Sequence, residues 1–184
     1  MKLAFDEPGP GALSREQLRF LTEERERPLI SDYIDLETQL QPNGIDLTLR
    51  EVSRFANAGS VGERAADRVL PELETLPFGE DGWIDLQPGS YHIVYNEVVD
   101  IPSSLMALGR PRSSLGRCGV TIHTAVWDAG YRGRSTSLLV VLNPDGFRLQ
   151  RDSRVMQLVF LGLATATASG YAGRYLNENT VEGN

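Results

Sequence analysis

The sequence predicts a mainly β fold, a distorted β-barrel or jelly roll with a short N-terminal helix. Three observations carry that expectation. The chain has 184 residues, the length of one domain rather than two. From Trp83 onward, short apolar and β-branched runs recur between turn signals, the texture of a closed or sandwiched sheet. Only one helix start is well marked, and it lies near the N-terminus.

The elements follow in order. Ser14 with Gln17 forms a capping box, and Leu13 can staple to Leu18 across it. The helix is expected to reach about Glu26 and stop before Pro28, with Leu18 and Leu21 facing inward. Residues 1–40 are read as a helical appendage. Gln41-Pro42-Asn43-Gly44 is turn chemistry leading into the alternating strand Ile45-Asp46-Leu47-Thr48-Leu49. Residues 57–82, rich in Gly, Glu and Ala, are expected to form a surface insertion with a short helix near Glu63 to Leu70. Strands are expected at Trp83 to Leu86, Tyr91 to Val99, Val120 to Val126, Ser135 to Leu142 and Arg154 to Leu163. Residues 171–184 are read as a flexible C-terminal tail, and the whole of 1–184 as a single domain.

Composition excludes several functions. The formal net charge is −7, a poor match to nucleic-acid polymers or anionic membranes. Lys2 is the only lysine, so no P-loop can form. Cys118 is the only cysteine, and His92 and His123 are the only histidines, which rules out thiolate zinc clusters and His-rich metal sites. Acids in Met1 to Glu7 interrupt any signal-peptide core, and the apolar run Leu138 to Leu142 is too short to span a bilayer. A soluble, cytoplasmic protein is expected.

Charge is unevenly placed. Between Ile101 and Pro144 stand Arg110, Arg112, Arg117, Arg132 and Arg134 against one acid, Asp128. This island is +4, which leaves −11 for the remainder. Arg110-Pro111-Arg112-Ser113-Ser114-Leu115-Gly116-Arg117 offers guanidinium forks, hydroxyls and a glycine, the groups that surround phosphate oxygens. A solvated loop pairing with acids elsewhere accounts for the same composition. Asp128, beside Ala129-Gly130-Tyr131-Arg132-Gly133, could orient a water or simply form a turn. Tyr131 could stack on a sugar or plug the core. Gln157, among Val155, Val159 and Leu161, needs a partner that is either ligand or backbone.

Five segments together resemble, in order, motifs of the dUTPase and dCTP deaminase superfamily. They are Gln41 to Leu47, Arg112 to Gly119, Asp128 to Gly133, Arg154 to Phe160 and Tyr171 to Tyr175. The likeness is closest to archaeal-type dUTPases of the deaminase-like branch. It implies a homotrimer with sites shared between subunits. By that resemblance Arg112, Ser113, Ser114 and Arg117 hold a triphosphate with help from Gln157. Tyr131 packs against deoxyribose and leaves no room for a 2′-hydroxyl. The segment Gly119 to Asp128, as a hairpin, reads the pyrimidine, and Tyr171 and Arg174 come from the tail. Asp128 positions the water that attacks the α-phosphorus, and Mg²⁺ rides on the triphosphate rather than in a protein cage.

The deaminase branch needs a further Glu on the strand after the Tyr131 turn, to move protons at the base. Here that strand reads Arg134-Ser135-Thr136-Ser137-Leu138-Leu139-Val140-Val141-Leu142 and carries no acid. The zinc route is closed as well, for want of paired cysteines. The expected activity is therefore hydrolysis of dUTP to dUMP and pyrophosphate. The alternatives are a dCTP deaminase, a bifunctional deaminase and dUTPase, or a non-catalytic dUTP-binding regulatory trimer.

Overall fold

The computed structural model describes residues 8–180. The reading of Met1 to Glu7 and the last four residues of the tail lie outside them. Helix α1 spans Arg15–Glu23, with short helices α2 at Leu36–Gln39 and α3 at Ser113–Arg117. Seven strands form a continuous path. They are β1 (Gly44–Phe55), β2 (Gly89–Tyr95), β3 (Leu105–Pro111), β4 (Val120–His123), β5 (Val126–Trp127), β6 (Thr136–Val141) and β7 (Arg154–Gly162). Their spatial order is β4-β6-β2-β1-β7-β3-β5.

The two ends of that path are consecutive in the chain, joined only by Thr124 and Ala125. Two residues reach about 10 Å between strand ends, so the sheet must curl until its edges meet. This gives the expected barrel-like β fold. It also corrects one detail: Gly119 to Asp128 is not a hairpin. β4 pairs with β6, whereas β5 pairs with β3, because the segment bridges the two edges of the sheet instead of folding on itself.

The capping box forms as expected. The Gln17 amide donates to Ser14 Oγ, and the Ser14 amide donates to Gln17 Oε1 at 3.0 Å. Leu13, Leu18 and Leu21 are buried. The helix ends at Glu23 rather than Glu26, because the chain must turn to bury Leu29 and Ile30. The turn is held by the Leu29 amide donating to Leu21 O at 2.9 Å. In β1, Ile45, Leu47 and Leu49 enter the core, but Asp46 and Thr48 on the other face are also buried. Glu97 covers Thr48, accepting from Gln39 Nε2, Thr48 Oγ1 and the Thr48 amide at 2.6–2.9 Å. Its burial pushes the Glu97 carboxyl above the usual range, although those hydrogen bonds pull the other way.

Beyond β1, residues 57–82 hold one helical turn at Ala65–Asp67 and a strand at Leu73–Thr75 that pairs with the end of β1. Trp83–Leu86 pairs with Phe147–Gln150. The strand predicted over Tyr91 to Val99 divides at Asn96, whose side chain turns in to Thr48 Oγ1 and Asp152 Oδ1. No helix among the described residues is long and apolar enough to cross a membrane.

Candidate active site

β3 organises the predicted site residues into two groups. At one end its partner β7 places Gln157 opposite both Arg110 and Asp46. The chain then enters α3 through Arg112, whose amide donates to Val155 O at 3.0 Å. Leu115 is buried and anchors the helix, leaving Ser113, Ser114 and Arg117 exposed. Arg117 donates to Ser113 Oγ at 3.2 Å. Gln157 is half-buried, and its amide makes no hydrogen bond among the described residues. Gly44 is required beside it, since a Cβ there would lie 2.8 Å from Gln157 Nε2 and 2.7 Å from Leu158 O.

Asp46 aims this end. Its Oδ2 lies 3.2 Å from Arg112 Nε and 3.4 Å from Arg154 on β7. Burial pushes its carboxyl above the ordinary range, and the two guanidinium groups draw it back only in part. The basic island is thus partly neutralised by acids outside it. Arg132 meets Asp100 and Arg134 meets Asp32. Arg110 and Arg117 have no acidic partner among the described residues, so local positive charge persists around α3.

At the other end of β3, β5 places Trp127 opposite Ala107 and delivers Asp128 to the rim of a cleft of about 270 Å³. The chain turns at once. The Tyr131 amide donates to Asp128 O at 3.0 Å, and Gly130 takes φ +85°, a turn conformation that favours glycine. Asp128 is exposed and Tyr131 is buried, with its ring forming part of the cleft wall. The tail returns to this turn. The Tyr171 amide donates to Ala129 O at 2.7 Å, and its ring meets Tyr131 edge-on with centroids 5.8 Å apart. Arg174, in the same tail, is exposed and has no ion-pair partner among the described residues.

Three contributors escaped the sequence reading. Asp46 and Arg154 lay inside quoted motifs but had no assigned role, and only strand register shows that Arg154 and Arg112 converge on Asp46. Glu178 is the third. It stands 47 residues from Tyr131 and accepts a 2.8 Å hydrogen bond from that hydroxyl, so no local pattern could have found it. β6 carries no carboxylate, as read from the sequence, and Leu138 on it faces outward opposite His123 and His92.

The comparisons with known proteins agree with this architecture. A family model described as dCTP deaminase-like matches residues 12–163. A Methanosarcina mazei protein named "Probable deoxyuridine 5'-triphosphate nucleotidohydrolase" is 51% identical over 168 residues, covering 91% of this chain and 98% of its own. A protein of the same name from Archaeoglobus fulgidus is 48% identical over 167 residues, covering 91% and 96%. Among solved structures, a 2'-deoxycytidine 5'-triphosphate deaminase from Agrobacterium tumefaciens superposes with a TM-score of 0.62 at 23% identity. That match covers 84% of this chain, which spans about half the length of the other (49%). The fold, the ordered motifs and these relatives lead to one conclusion: the chain belongs to the dCTP deaminase-like family.

Proposed function

We propose that this protein is a dUTP diphosphatase, cleaving dUTP to dUMP and pyrophosphate. The observation that carries the reading is the pairing of Asp128 with an aromatic cleft, beside a β6 strand that offers no acid for deamination. Relatives at about 50% identity bear the corresponding name. In this reading the deoxyribose lies against Tyr131 and the uracil meets backbone groups between Gly119 and Asp128. Asp128 holds a water in line with the α-phosphorus and takes its proton as the oxygen attacks. Arg112, Ser113, Ser114, Arg117 and Gln157 bind the triphosphate and stabilise the charge that grows on the departing pyrophosphate. Tyr171 closes the nucleoside side, and Arg174 reaches the phosphates from the tail.

Mg²⁺ fits as a passenger of the substrate. Among the described residues no three His, Cys, Asp or Glu side chains gather to hold an ion. Asp46, a carboxylate beside the proposed phosphate-binding residues, is engaged by two arginines. The ligands of Mg²⁺ would be phosphate oxygens and water, and the ion would supply neutralising charge on the triphosphate.

A homotrimer accounts for the spacing. Trp127 stands opposite Ala107, so Asp128 and Arg112 are separated by about 20 Å of β3. That exceeds the reach of one triphosphate. A complete site therefore combines the Asp128 cleft of one subunit with the α3 end of another.

The test is to offer the purified protein dUTP and, separately, dCTP with Mg²⁺, and to measure pyrophosphate and ammonia. Pyrophosphate from dUTP without ammonia from dCTP is expected. Ammonia from dCTP would overturn the assignment, and dUTP binding without either product would identify a non-catalytic module.

A further inference from the structure

The hydroxyl of Tyr131 is held by a chain of hydrogen bonds whose direction is fixed chemically. Trp127 Nε1 can only donate, and it donates to Ser135 Oγ at 2.7 Å. At the far end, an ionised Glu178 can only accept, and its Oε1 lies 2.8 Å from the Tyr131 hydroxyl. Ser135 and Tyr131, 3.0 Å apart, must therefore be arranged with Ser135 donating to the Tyr131 oxygen. Every polar hydrogen in the chain then has one acceptor. A neutral group in place of Glu178 that cannot accept leaves the Tyr131 proton to compete for Ser135. That serine then has no buried acceptor for its own proton.

The space for this chain is made by Gly133. A Cβ there would lie 2.7 Å from the Tyr131 hydroxyl and 3.2 Å from Glu178 Cγ. The backbone secures the far partner. The Arg134 amide donates to Glu178 O at 2.9 Å, and the Asn177 amide donates to Arg132 O at 2.7 Å. A segment late in the chain is thus clamped to the Tyr131 turn so that its carboxylate meets the tip of that ring.

We propose that Glu178 is a positioning residue for sugar selection. Carried by the tail, it fixes the Tyr131 ring through the Trp127–Ser135–Tyr131 chain, and so sets how strictly the site refuses a ribonucleotide. This rests on the reading of the cleft as a deoxynucleoside site. The physical basis is simple: a 2′-hydroxyl is excluded by contact, and contact excludes only when the wall cannot move. Ser135 and Trp127 hold the ring from the barrel, and Glu178 holds it from the tail. Substrate exclusion and tail docking are then one event.

The experiment compares kcat and KM for dUTP and UTP in wild type, Glu178→Ala, Glu178→Gln, Tyr131→Phe and the double variant Tyr131→Phe with Glu178→Ala. Glu178→Ala is expected to lower the dUTP-to-UTP ratio of kcat/KM about tenfold, ~1.4 kcal/mol, chiefly through a lower KM for UTP. Glu178→Gln keeps an acceptor oxygen and should restore most of the ratio. Once Tyr131 has lost its hydroxyl, Glu178→Ala should change the ratio no further. An unchanged ratio in Glu178→Ala, or the same tenfold loss in the Tyr131→Phe background, would overturn the proposal. A second readout does not depend on catalysis. The indole N–H proton resonance of Trp127, assigned by Trp83→Phe, should shift in Glu178→Ala and move less in Glu178→Gln. A fixed resonance would remove the chain itself. A protein that hydrolyses no dUTP, yet shows that shift, would instead remove the nucleotide reading and leave the chain standing.

Discussion

The two ends of β3 are built on opposite plans. The α3 end is charged and open. Exposed Ser113, Ser114 and Arg117 stand on a five-residue helix, and Arg112 and Arg154 beside it are paired with one buried acid, Asp46. The Asp128 end is aromatic and closed. Trp127, Tyr131 and Tyr171 wall it, and the polar tips of Trp127 and Tyr131 are joined through Ser135 in a chain that Glu178, from a distant segment, completes. On the proposed reading of the site, the contrast matches what each task demands. A polyanion is held by several guanidinium and hydroxyl groups, any of which can adjust. An in-line attack and a steric exclusion need one geometry held firmly.

The largest effect should come from breaking the chemistry while leaving both ends intact. Asp128→Asn is expected to lower turnover about a thousandfold, within the range for loss of a positioned base. Affinity for a non-hydrolysable dUTP analogue should stay within a few-fold. Pyrophosphate release and equilibrium binding check the two halves. Near-normal turnover in this variant would take Asp128 out of the mechanism.

Next in size is a change that separates the closed end from its cover. Gly130 has φ +85°, and a Cβ there would lie 2.7 Å from Gly170 Cα and 2.9 Å from the Tyr171 amide nitrogen. Gly130→Ala therefore imposes a left-handed conformation costing ~1–2 kcal/mol and pushes the tail away from the turn. The expected fall in Tm is about 2–8 °C. Limited proteolysis should show the tail cut earlier than in the unaltered protein. Affinity for inorganic triphosphate should fall only by the share that Arg174 supplies from the tail, since the substitution lies at the other end of β3 from α3. A tail as resistant as before would show that it is not docked on this turn.

The same contrast explains what the sequence disclosed. The capping box at Ser14 and Gln17, the strand Trp83–Leu86 and the start of β7 at Arg154 were legible because each is decided by near neighbours. β3 went unseen: Gly109, Arg110 and Pro111 break its alternation, and only pairing with β7 makes it a strand. α3 hid in a run of Arg, Pro and Ser that reads as a loop, and buried Leu115 is its one inward anchor. At the charged end, composition singled out the arginines and hydroxyls of Arg110 to Arg117 but suited a solvated loop equally well, and a phosphate role was implied only by the family resemblance. Asp46 was visible as a residue but not as a partner, since its convergence with Arg112 and Arg154 depends on the register of β1 against β7. At the closed end, Asp128 and Tyr131 were readable and Glu178 was not. The difference is loop closure, which no local pattern records.

Asp46 offers a finer cut at the charged end. Its burial raises the cost of its charge, and Arg112 and Arg154 return only part of that cost. The pairing is therefore a device for direction more than for stability. Asp46→Asn keeps an acceptor for the two arginines but loosens their aim. The expected result is a rise in KM for dUTP of about fivefold, with Tm changed by no more than about 3 °C. A large fall in Tm with KM unchanged would reverse the interpretation and make Asp46 a stabilising core residue.

The smallest effect concerns pH, and it compares buried Asp46 at one end with half-buried Glu178 at the other. Burial pushes the Glu178 carboxyl above its ordinary value of 4.5, and the Tyr131 hydroxyl bond only moderates this. The folded chain thus keeps the Glu178 proton to a higher pH than the unfolded chain does. Glu178 then contributes stability that is complete below about 4.5 and is lost as pH rises through the folded value. Asp46 and Glu97 follow the same sign, so a single melting curve against pH cannot separate them. The difference between wild type and Glu178→Gln can. The variant has no proton to lose at this position, so its Tm should fall less than that of wild type between pH 4.5 and 7. The gap should also be wider than the one seen for Asp46→Asn, because Asp46 keeps two guanidinium partners that favour its charged form, whereas Glu178 has one neutral hydroxyl. Parallel curves for wild type and Glu178→Gln would mean that Glu178 titrates alike in the folded and unfolded chain. The carboxylate would then be solvated rather than enclosed against Tyr131.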